Sequence, residues 1–266
     1  MIRTIVVAAD ESNYARIAQQ HAIELAGRIE GHLRVLAAWP QEAAQEIRDA
    51  GEDPEALARQ NIQEVVAKAR DRGVHAEGSY RGERALQSLL AEARESDLLV
   101  VGMPTREQAR GDDLAEALFH EELPLFRKAE SMLLVVCDPP EPLEKILVHY
   151  QPGLEGKQAL RTAAWIAERT CRRLAVCCIR REASDADEAA AIARRYVKGF
   201  DLEDVEMITK TGGPENHNEI LEATRSAGAN FIVLGNESHN LFERFFRPPD
   251  TEQVALETRI PVLIAR

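Results

Sequence analysis

Asp97-Leu-Leu-Val-Val-Gly102 and Asn230-Phe-Ile-Val-Leu-Gly235 are one pattern written twice. Each opens on a short polar residue, runs through four apolar residues rich in branched side chains, and closes on glycine. An unbroken apolar run of that length suits a strand covered on both faces, as in a parallel sheet. A second pair repeats the lesson, because Ser131-Met-Leu-Leu-Val-Val136 is mirrored by Ile260-Pro-Val-Leu-Ile-Ala265.

Working outward from the first copy, strands are predicted over 4–9, 33–38, 74–80, 97–102 and 131–137. Helical periodicity fills the intervals. The first helix covers 14–30, with Ile17, His21, Leu25, Ala26 and Ile29 on one side and Gly31 as its stop. The stretch 41–71 is helical with an interruption at 51–54, and Gly73 ends it; further helices cover 83–95 and 114–127, the last after a polar loop. Asp138-Pro139-Pro140-Glu141-Pro142 then supports neither helix nor sheet ladder and reads as a linker.

The order restarts beyond it. Strands are predicted over 145–150, 173–179, 205–209, 230–235 and 261–265, and helices over 156–172, 185–199, 214–226 and 248–258. Both halves read βαβαβαβαβ, which implies right-handed crossovers and helices on both faces of each sheet. The expected class is α/β, with two tandem doubly wound domains over residues 1–138 and 143–266. One large doubly wound domain is the competing architecture, and the proline segment at the midpoint counts against it.

Composition narrows the function classes. The 266 residues are 45% hydrophobic and 29% charged, an ordinary globular balance. A net charge of −12 opposes phosphate backbones and anionic lipid surfaces, so neither nucleic acid nor membrane is an expected partner. No run of apolar residues reaches the ~18 needed to span a bilayer. The chain enters a strand at Thr4, leaving no room for a signal peptide, and a cytoplasmic location is expected. Four cysteines, Cys137, Cys171, Cys177 and Cys178, form no C-x-x-C and suit reduced, mostly buried thiols. The seven histidines show no H-x-x-x-H spacing, so no metal site is indicated.

Both halves resemble universal stress protein domains. The resemblance rests on Thr4-Ile-Val-Val-Ala-Ala-Asp10-Glu-Ser12, the Asp97–Gly102 and Ser131–Val136 segments, then Lys145-Ile-Leu-Val, Ala229-Asn-Phe-Ile-Val-Leu-Gly235 and Arg259-Ile-Pro-Val-Leu-Ile264. It implies a five-stranded parallel sheet of order 3-2-1-4-5 in each domain. It also implies pairing of the fifth strands of two domains, which a tandem chain makes intramolecularly, with a homodimer as a further level. Some members bind ATP through an acidic residue after strand one and a Gly-x-x-Gly-x9-Gly-Ser/Thr loop after strand four; others lack the loop and do not.

Such a loop holds phosphate with backbone N–H groups that glycine lets approach closely. In the second half the loop's first glycine falls on Gly235, its second on Ser238 and its closing pair on Pro248-Pro249, which carry no N–H. The acidic position there is Gln151. In the first half Asp10 keeps the acidic position and Gly102 opens the loop, but the second glycine position is Thr105 and no Gly-Ser closure follows. Asp10, Gly102, Thr105 and Gly235 are therefore the candidate ligand residues, with Asp10 otherwise serving as a helix cap. No cofactor is assigned; ATP or another small molecule, if held at all, belongs in domain 1. His217 and His239 fall on the strand-end side of the second sheet, and the loop Leu241-Phe-Glu-Arg-Phe-Phe246 either packs over that sheet or meets a partner. No nucleophile–base pair emerges, so the expectation is a non-catalytic stress-response or regulatory protein, with an adenine-nucleotide sensor as the alternative.

Overall fold

The computed structural model describes residues 1–10, 12–110, 124–126, 128–212, 216–236 and 250–266. The chain divides into two compact units, one of Met1–Pro104 with Gln108–Pro140, the other of Thr105–Glu107 with Glu141–Arg266.

In the first unit, strands β1 (Thr4–Ala8), β2 (His32–Ala37), β3 (Ala76–Tyr80), β4 (Leu98–Gly102) and β5 (Met132–Val136) lie side by side as β3-β2-β1-β4-β5. Parallel register sets Val7 of β1 against Val35 of β2 and Val100 of β4. Between the strands run helices α1 (Asn13–Ile29), α2 (Gln41–Asp49), α3 (Pro54–Asp71) and α4 (Ala85–Arg94). The polar loop expected after β4 contains one helical turn, α5 (Arg106–Ala109). Most of the helix expected over 114–127 lies outside the described residues, of which 124–126 are helical.

The caps explain where these helices start and stop. Ser12 accepts a hydrogen bond on its hydroxyl from the Ala15 N–H at 3.1 Å, opening α1. The expected apolar face, Ile17, His21, Leu25, Ala26 and Ile29, is buried throughout. Gly31 is not the left-handed stop; Glu30 takes that conformation at φ 56°, and the Gly31 N–H closes back on the Ala26 carbonyl at 2.8 Å. The turn needs its left-handed residue one position before the one that closes the ring. Gly73, at φ 74°, does close α3. Asp53 caps α3 by accepting the Glu55 N–H at 3.1 Å, with Pro54 at the first helical position.

The second unit has strands β6 (Ile146–His149), β7 (Arg173–Arg180), β8 (Asp204–Thr211), β9 (Phe231–Gly235) and β10 (Val262–Ala265) in the order β10-β9-β6-β7-β8. Its helices are α6 (Leu154–Arg169), α7 (Ala183–Val197), α8 (His217–Ala227) and α9 (Asp250–Glu257). β8 outruns its expected span because all eight residues pair with β7, from Arg173 opposite Asp204 to Arg180 opposite Thr211. Expected to begin at Pro214, α8 begins at His217; residues 213–215 lie outside the described set. Cys177 and Cys178 are fully buried, and burial pushes their thiols up to about 12 and about 11, so neither is a ready nucleophile.

The polar residue that opens each repeated strand has one task in both units. The Asp97 carboxylate accepts the Arg3 and Thr4 N–H groups at 2.8 and 3.0 Å, fixing the chain as it enters β1. The Asn230 amide oxygen accepts the Glu144 and Lys145 N–H groups at 3.0 and 3.3 Å, and its NH2 donates to the Pro142 carbonyl at 2.8 Å. Asn230→Ala should therefore lower the unfolding free energy by about 1–2 kcal/mol, and Asn230→Asp, which keeps the acceptor but loses the donor to Pro142, should recover only part of it. Urea denaturation of both variants decides; equal losses would remove the acceptor's role.

Candidate functional site

In open α/β sheets ligands gather beyond the carboxyl ends of the strands, where the strand order reverses. In the first unit that place is the end of β1 beside β4. Asp10 lies two residues past the end of β1 and accepts the Ser12 N–H at 2.7 Å, so Ser12, not Asp10, caps α1, and Asp10 holds the cap in place. From α1 the buried Gln19 amide reaches back to the Ala8 and Asp10 carbonyls at 3.0 and 3.4 Å. Both polar ends of the β1–α1 turn are thus tied down by the turn itself.

Gly102 closes β4, and extending the β1–β4 register sets it beside Ala9. A Cβ there would overlap the backbone carbonyl of Tyr14 in the first turn of α1. Glycine is required at this point by helix packing, whatever else the crevice holds. Asp10 and Gly102 therefore fall at the ends of neighbouring strands. Thr105 is buried and is counted with the second compact unit.

The second unit repeats the construction with different residues. A Cβ on Gly235 would lie 3.0 Å from the Glu155 carbonyl carbon and oxygen, at the matching turn of α6. A Cβ on Gly156 would overlap the Gln151 carbonyl, so Gln151, the counterpart of Asp10, lies beneath the first turn of its helix. Gly153 occupies the cap position at φ 150° and ψ 179°, a conformation open essentially to glycine alone. Ser238, Pro248, Pro249, His239 and the 241–246 loop lie outside the described residues. His217 opens α8 on the expected side of the sheet.

His149 is the polar residue that sequence reasoning passed over. It ends β6 at 5% exposure, and its Nε2 has no hydrogen-bond partner among the described residues. Burial, helped by the Arg180 cation, lowers its pKa to about 4, so the ring stays neutral. The available signal was its position as the last residue of an otherwise apolar strand, Ile146-Leu-Val-His149. His21, also buried, contacts the Asp138 carbonyl through Nε2 at 2.9 Å; burial lowers its pKa as well. Among the described residues no group of three or more His, Cys, Asp or Glu side chains is placed to hold a metal ion, and no helix is long and apolar enough to cross a membrane.

Two Rossmann-like α/β units, each with a strand-end glycine packed under its first helix, define a tandem α/β protein. The universal stress protein family model matches residues 1–112 and 142–266, and the chain belongs to that family. A universal stress protein from Archaeoglobus fulgidus DSM 4304 superposes with a TM-score of 0.76 at 13% identity, covering 99% of this chain and 98% of that one. A functionally unknown protein from Pseudomonas aeruginosa PAO1 gives a TM-score of 0.73 at 18% identity, covering 99% and 92%. A putative universal stress protein from Pseudomonas aeruginosa UCBPP-PA14 gives 0.67 at 18%, covering 99% and 93%. These likenesses establish the fold. No curated protein matches the chain significantly.

Two outcomes follow from this geometry. Gly102→Ala, which forces backbone against backbone, should cost about 3 kcal/mol, and Gly235→Ala, with its 3.0 Å contact, nearer ~1 kcal/mol, by urea denaturation. The reverse ranking would refute the packing role. For His149, the folded pKa of about 4 lies below the unfolded value near 6.5, so its contribution is fully present above pH 6.5 and is lost as pH falls toward 4. Between pH 7.5 and 5 the wild type should lose about 2 kcal/mol more than His149→Leu. Parallel pH profiles for the two proteins would exclude His149 as the cause.

Proposed function

We propose that this chain is a non-catalytic stress-response or regulatory protein whose two domains, 1–138 and 143–266, carry degenerate nucleotide sites on wholly parallel five-stranded sheets of order 3-2-1-4-5. The observation that carries the reading is the use of the crevice's own polar and glycine positions for folding. The Asp10 carboxylate holds the Ser12 N–H at 2.7 Å, and the space above Gly102 is taken by Tyr14 of α1. In the sequence, the second half has prolines at 248 and 249, where the ATP-binding loop of the family needs backbone donors.

The second reading is an adenine-nucleotide sensor that uses domain 1, favoured there by Asp10 and Gly102 standing at adjacent strand ends. Fifth-strand pairing between the domains, a further homodimer and a cytoplasmic location belong to the same proposal. Calorimetric titration of the intact chain with ATP should show no binding in the micromolar range. Micromolar binding that disappears in Asp10→Ala would replace the non-binding reading with the sensor.

A further inference from the structure

The register that pairs Leu33 with Ala76 places His32 at the start of β2 directly beside His75, the residue before β3. The two rings lie 4.5 Å apart between centroids, tilted by 37°, with their Nδ1 atoms 2.5 Å from each other. On the far side of the first ring, a Glu77 carboxylate oxygen lies 3.2 Å from His32 Nε2. We propose that His32 and His75 form a surface site for a divalent transition-metal ion of the zinc, nickel or copper class, each ring ligating through Nδ1.

The chemistry follows from the tautomers. With its proton on Nε2, toward the Glu77 carboxylate oxygen 3.2 Å away, His32 has a bare lone pair on Nδ1 toward His75. Without metal, His75 Nδ1–H donates to that lone pair. When a metal ion enters, the His75 proton moves to its own Nε2, so both Nδ1 lone pairs face the ion and no net proton is released from the neutral pair. Two bonds of 2.0–2.1 Å at a tetrahedral angle require the nitrogens to separate to about 3.3 Å. That movement is small for His75, which is exposed and precedes the strand. Water fills the remaining positions.

The surrounding charge permits a cation. Arg34, two residues along β2, is committed to Glu77, Glu92 and Glu95. Imidazole nitrogen as the ligand selects zinc, nickel or copper over magnesium or calcium, which prefer oxygen. The carboxylate behind His32 is the orienting partner that metal-binding histidines commonly have. Two protein ligands make this a different kind of site from a closed cage of three or four.

The test uses the full chain with 15N-labelled imidazoles at pH 8, titrated with zinc chloride and followed by NMR. The expected result is a saturable shift of the Nδ1 resonances of both His32 and His75, binding weakened at least ten-fold in His75→Ala and about ten-fold in Glu77→Gln, and no response to magnesium chloride. Affinity unchanged in His75→Ala, shifts confined to Nε2, or no saturation would each overturn the proposal.

Discussion

In both units the first crossover helix presses its opening turn onto the end of the fourth strand, where a side chain would otherwise stand. At Gly102 the obstacle is the Tyr14 backbone, and at Gly235 it is the Glu155 backbone. Much of the crevice follows from this approach. It fixes how deeply the helix N-terminus sits against the sheet, which strand ends lie open, and which residues between β1 and α1 must turn the chain within a few positions. A glycine closing an apolar strand can therefore be a packing requirement that precedes any ligand.

The two units solve the same turn differently. In the first, Asp10 and Ser12 supply side-chain acceptors and Gln19 braces the strand end. In the second, Gly153 and Gly156 let the backbone itself fold under the helix, with no side-chain cap. Side-chain hydrogen bonds in one copy and glycine conformational freedom in the other reach the same tertiary end. The entry to each central strand shows the opposite tendency, because Asp97 and Asn230 offer the same oxygen to the same pair of backbone donors. A duplicated fold tolerates change where several local chemistries satisfy the backbone and resists it where one acceptor must serve two N–H groups.

Legibility followed the range of the interaction. The ten strands could be read because β-branched runs act locally. Helix ends were read less well, since Glu30 rather than Gly31 turns left-handed and Ser12 rather than Asp10 caps α1. In each case two adjacent residues are both suitable, and the closure of one hydrogen-bonded ring selects between them. The extra length of β8 was hidden for a related reason. Its ends, Asp204 and Lys210-Thr211, are polar and become strand only because β7 offers partners.

Alone, the chain's order of apolar runs, glycines and prolines determined that there would be two α/β repeats, because those preferences are set by each residue's own backbone and its near neighbours. Only the tertiary structure decided that Gly102 lies under Tyr14, that His149 is sealed in without a partner for Nε2 among the described residues, and that His32 stands against His75 across 43 positions of sequence. Those facts arise from strand register and helix approach, which join residues that no local spacing relates.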